Sequence, residues 1–143
     1  MHICLIPSTP MSLHILLLSD GMFPFVMGGM QKHTFSLCEQ LLIKAVRVTL
    51  FHAIPKGTVT SENEVRALFS KNSDLLNVKT FEFPNAGKLP GHYVRENILL
   101  SQNMFLEYNN SNKEFDLVYA QGFTGNSFVN SEFTNESPVN PCA

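Results

Sequence analysis

The stretch that most constrains the fold is residues 13–51. An unbroken apolar run over residues 15–18 ends at Asp20-Gly21, Pro24 and the pair Gly28-Gly29 follow, and helical periodicity begins only after those glycines. Val48-Thr49-Leu50-Phe51 then closes the unit as a second apolar run. A strand that is apolar at every position needs cover on both faces, as in parallel sheets, and parallel neighbours are joined by a helical crossover. The stretch therefore predicts strand, loop, helix, strand. Its first loop falls at the carboxyl end of a parallel strand, where open α/β sheets bind ligands.

Gly28 and Gly29 let the backbone turn sharply and approach a bulky anion, and the first free N–H groups of the helix, at residues 30–33, carry the positive end of its dipole. Phosphate is the natural guest for such a turn. A strand-to-helix turn also needs Gly and Pro for purely local reasons, so the glycines alone leave both readings open. Neither G-x-G-x-x-G nor G-x-x-x-x-G-K-[ST] is present. In the same turn Lys32 opposes the helix dipole, which fits either a nearby anion or a solvated side chain.

Along the chain, residues 1–12 carry Pro7 and Pro10 and read as a leader without an assigned structure. Strand one is residues 14–19. The apolar Met22, Phe23, Phe25, Val26 and Met27 of the next loop either fold over the sheet edge or meet a greasy ligand. Residues 30–44 form an amphipathic helix with Cys38 on its buried side, and Ala45-Val46 stands where a closing glycine is expected, at a cost on the order of 1 kcal/mol. Strand two is residues 47–53. A short helix over 62–70 takes Ser61 as its cap, and the alternating residues 78–83 make strand three, near a sheet edge.

Residues 93–108 form a second long helix that turns Val94, Ile98, Leu99, Met104, Phe105 and Tyr108 toward the sheet. Strand four is residues 116–120, with the Gln121-Gly122 loop at its carboxyl end and a further helix starting within 124–129. Residues 130–143, polar and patternless, read as a disordered tail. The domain proper is then 13–129: α/β, a Rossmann-like parallel sheet with helices on both faces and strand order 3-2-1-4. In that order the winding reverses between strands one and four, which brings the Gly28-Gly29 and Gln121-Gly122 loops side by side.

With 143 residues the chain fits one domain with a sizeable core, and its formal net charge of −2 carries no basic block that would favour nucleic acid. Cys4, Cys38 and Cys142 are odd in number and widely spaced, which suggests a reducing compartment. Pro7, Pro10 and His14 interrupt the only apolar start, which argues against a signal peptide, and no run reaches a membrane span. The expectation is a cytoplasmic chain with no metal site, leaving peripheral membrane contact and oligomeric state open. His2, His14, His52 and His92 lack ligand spacing.

Ser19-Asp20-Gly21, Pro24, Gly28-Gly29-Met30-Gln31-Lys32-His33 and Val48-Thr49-Leu50-Phe51 together resemble the amino-terminal domain of the retaining GT-B glycosyltransferases of family 4. Phe115-Asp116-Leu117-Val118-Tyr119-Ala120-Gln121-Gly122 is similar to that family's strand ending in His-x-His, with Gln121 at the place of the histidine that ends the strand. The chain departs from the family pattern there and at Ala45-Val46.

The resemblance implies part of a GT-B amino-terminal domain, truncated, from a parent that transfers sugar from a nucleotide-sugar donor. Gly28, Gly29 and Met30 would meet the donor diphosphate, and Asp20, His33, Gly122 and Phe123 would face a carbohydrate or lipid-linked acceptor. Gln121 would orient the reacting sugar or simply cap a strand end; it cannot shuttle a proton. No cofactor beyond the donor is implied. Because half a cleft fixes groups on one side only, this polypeptide alone is expected not to turn over. Two other classes stay open: a non-catalytic acceptor-binding or partner module, and an unrelated flavodoxin-like or nucleotide-binding domain.

Overall fold

The computed structural model describes residues 13–111 and 114–134. The sequence-predicted leader, Cys4, Cys142 and residues 135–143 of the tail lie outside them. Four strands, β1 (His14–Ser19), β2 (Arg47–Ile54), β3 (Leu76–Glu82) and β4 (Leu117–Ala120), form one sheet in the order β3-β2-β1-β4. Every pairing is parallel, with Ile15 beside both Val48 and Leu117. The helices are α1 (Gly29–Ile43), α2 (Glu62–Arg66), α3 (His92–Asn110) and α4 (Asn126–Thr134). Short 3-10 turns cover Ser73–Leu75 and Gly122–Gly125. The fold is thus α/β and Rossmann-like. None of the described helices is long and apolar enough to cross a membrane.

Burial explains the strand composition. All six residues of β1 are buried, and alternate side chains enter two separate cores. Ile15, Leu17, Val48 and Leu50 pack with Cys38 and Leu42 of α1 and Val65 of α2, whereas Leu16, Leu18, Phe51 and Ala53 pack with Leu100 and Met104 of α3;. At the amino end, the backbone N–H of His14 donates to Asp116 Oδ2 at 2.7 Å and the Asp116 N–H donates to His14 O at 2.8 Å, which sets the β1–β4 register.

Several local expectations meet specific geometry. Ala45 takes the left-handed conformation, φ 59°, with its N–H bonded to Leu42 O and the Val46 N–H to Leu41 O, both at 2.9 Å. This is a full Schellman closure made without glycine. Ser61 caps α2 through a capping box with Glu64. α2 itself stops at Arg66, shorter than the expected 62–70, and α4 continues to Thr134, into the stretch read from sequence as an unstructured tail.

The sheet-facing side of α3 is a correction. Val94 and Leu99 are exposed, and Asn97, Leu100, Ser101 and Met104 are the residues buried. Two polar side chains occupy the inner face because each finds a partner there. Asn97 Nδ2 donates to Tyr93 O at 2.8 Å, and Ser101 Oγ donates to Thr124 O at 2.7 Å while accepting from Ser127 N at 3.0 Å. Satisfied in this way, they can be buried without the usual penalty for a lone polar group.

Candidate functional site

The winding reverses between β1 and β4, and the loops leaving their carboxyl ends meet at that point. Gly28 precedes α1, and Lys32 N makes the first intrahelical bond, to Gly28 O at 3.0 Å. The N–H groups of Gly29, Met30 and Gln31 come before that bond and stand at the helix's positive end, with no acidic residue in the first turn. A Cβ built on Gly29 would touch nothing within 4 Å, so that side of the residue is open. On Gly28 the same atom would run into Gln31 Oε1.

The opposite lip is Gln121-Gly122. Gln121 N donates to Leu18 O at 3.0 Å, and its side-chain Oε1 accepts from the Thr34 hydroxyl on α1. Thr34 Oγ1 also lies 3.2 Å from Ser19 Oγ and 3.1 Å from Met30 O, so its single proton serves one oxygen at a time. Ser19 Oγ in turn donates to Gly21 O. Ser19, Thr34 and Gln121 are all buried. A polar knot therefore ties the end of β1, the first turns of α1 and the end of β4. Gly122, at φ 61°, holds a backbone shape that other residues rarely adopt, and a Cβ there would come within 3.3 Å of Met30 Cε.

The sequence-predicted residues divide accordingly. Met30 comes up against Gly122, Thr34 links Gln121 to α1, and Gly28 and Gly29 lead into that same helix. Asp20 is half-buried at the mouth of the β1–α1 loop, where its Oδ1 accepts from Gln31 Nε2 at 3.0 Å. Phe123 is exposed beyond Gly122, and His33 is exposed on the outer side of α1. The apolar loop folds over the sheet for most of its length. Met22 is fully buried, Phe23 packs edge-on against Phe35 with ring centres 5.9 Å apart, and Phe25 stacks on His52 at 6.1 Å. Met27 alone of the set stays out, 69 % exposed.

Two features escape sequence reasoning. His52 is fully buried beneath this loop, and neither of its ring nitrogens has a hydrogen-bond partner. Burial pushes its pKa down to about 4; the Ala53 backbone opposes that, but without hydrogen-bond geometry to the ring. The second is a cavity beside this loop, assembled from residues at the ends of β1, β2 and β3 together with Gln31 of α1 and Tyr93 and Glu96 of α3. The Cys38 thiol is likewise pushed up to about 12, mainly by burial and secondarily by the charge of Glu39, and is chemically quiet. Among the described residues no group of His, Cys, Asp and Glu side chains is placed to hold a metal. No family model, curated protein or solved structure matches the chain.

Proposed function

We propose that this chain forms the acceptor-side lip of a sugar-transfer cleft, in an enzyme that moves a glycosyl group from a nucleotide-activated donor with retention. The observation that carries the reading is the meeting of the α1 amino terminus with the Gln121-Gly122 loop at the β1/β4 reversal, joined through Thr34. The amides of Gly29, Met30 and Gln31 suit a diphosphate, standing at the positive end of a helix whose first turn carries no acid, while the Asp20 carboxylate beside them is engaged by the Gln31 amide. Gln121 acts by position: its amide is held by Thr34, so it orients a sugar hydroxyl and does not move protons. A donor-binding domain facing this lip supplies the remaining contacts.

The test is a titration of the 15N-labelled chain with UDP, ADP and GDP, followed by amide NMR. Shifts confined to Gly28, Gly29, Met30 and Gly122, with a dissociation constant on the order of 1 mM or weaker, are expected of a single lip. Gly29→Val puts a branched side chain beside the first amides, at a position where a Cβ meets nothing within 4 Å, and should abolish the shifts. Shifts located elsewhere, or their absence at saturating nucleotide, overturn the reading.

A further inference from the structure

Beside the β1–α1 loop, a cavity of about 470 Å3 opens at the carboxyl ends of β1, β2 and β3, within the roughly 300–1,000 Å3 range of small-molecule sites. Asp20 and Gln31 line it, whereas Gly28, Gly29, Gly122 and Phe123 do not, so it is a compartment separate from the two lips. Its apolar surface comes from Val26, Ile54, Pro55, Phe83, Pro84 and Tyr93. The Phe83 N–H donates to Ile54 O at 3.0 Å, which fixes the β2 and β3 walls relative to each other.

The polar groups around these walls select a chemistry. Asp20 and Glu96 are carboxylates from opposite sides, and each has one oxygen already engaged: Asp20 Oδ1 by Gln31 Nε2 at 3.0 Å, and Glu96 Oε1 by the Ala86 N–H at 3.3 Å. Those bonds orient the carboxylates and leave a second oxygen on each to accept from a guest. Two carboxylates against the single lysine, Lys56, disfavour an anion such as phosphate. An ammonium guest would use only acceptors and would face Lys56. Gln31 and Asn85, in contrast, add amide groups that both donate and accept. A mixed donor and acceptor set over apolar and aromatic walls matches a ring whose edge is hydroxylated and whose faces are C–H.

We propose that this cavity binds a single neutral sugar ring, stacked on the Phe83 and Tyr93 side and hydrogen-bonded through hydroxyls on separate edges of the ring to Asp20 and Glu96. The assignment of that sugar as the acceptor rests on the sugar-transfer reading, but the binding itself does not. The experiment is amide NMR on the full 143-residue chain with methyl α-glucopyranoside, methyl α-mannopyranoside and methyl α-galactopyranoside, alongside tyramine and inorganic phosphate. At least one pyranoside should give saturable shifts at Asp20, Val26, Asn85 and Tyr93, with a dissociation constant on the order of 1 mM, the range open to so small a ligand.

Asp20→Asn and Glu96→Gln keep the shape and remove a charged acceptor, and each should weaken that binding about tenfold. The spectra of the variants report at once whether they are folded; if either is not, Tyr93→Ala, at the exposed mouth, replaces it and should also weaken binding. Tighter binding of tyramine or phosphate than of every pyranoside, or no saturable shift with any pyranoside, overturns the proposal. Pyranoside binding with no nucleotide response at Gly28–Met30 leaves the cavity assignment standing and removes the transferase reading. The reverse pattern does the opposite.

Discussion

An imidazole sealed from water with no partner on either nitrogen, as at His52, makes stability depend on pH. Unfolded, the ring takes up a proton near its ordinary value of 6.5; folded, it resists until about 4. Between those values the unfolded chain binds more protons, so stability falls as the pH drops through that window, by about 3 kcal/mol in all. Urea midpoints at pH 7 and pH 4 should show this loss in the wild type and a much smaller one in His52→Leu. Equal losses in the two proteins would mean that His52 is hydrated or paired in solution. The composition does not foretell any of this, because His52 occupies a strand position indistinguishable in pattern from its apolar neighbours, and its burial depends on Phe25 folding down from a loop.

At the scale of elements, what the sequence makes legible follows from local periodicity. β1, α1 and β2 are written in apolar runs and one amphipathic stripe, and Ala45 is visible as a residue standing where glycine belongs. Ala45→Gly should relieve the left-handed strain at φ 59° and stabilise the chain by about 1 kcal/mol, read as a higher urea midpoint at neutral pH. An unchanged or lower midpoint would show that the strain is already relaxed. The inner face of α3 is illegible by the same logic. Asn97 and Ser101 are buried only because Tyr93, Thr124 and Ser127 answer their hydrogen bonds, and the last two of those partners lie on the loop and helix after β4. The strand order β3-β2-β1-β4 is legible from the order of elements; the cavity is not, since three separate strand ends and two helices make its walls.

Across the whole molecule, order is distributed unevenly. β1 is buried at every position and paired on both sides, whereas β4 has four residues, pairs only with β1 among the described residues and shows Leu117 and Tyr119 to solvent. Native-state hydrogen exchange should therefore find the slowest amides in β1 and β2 and much faster ones in β4 and α4. Protection in β4 equal to that in β1 would reveal a further neighbour along its outer edge.

The knot of Ser19, Thr34 and Gln121 has a mechanical meaning. Residues 87 apart in the chain are clasped by one hydroxyl at the point where the two lips come closest, so the helix end and the returning loop cannot drift apart unless that clasp is broken. Whatever enters the gap meets a gauge of set width, which these two lips do not adjust while the clasp holds.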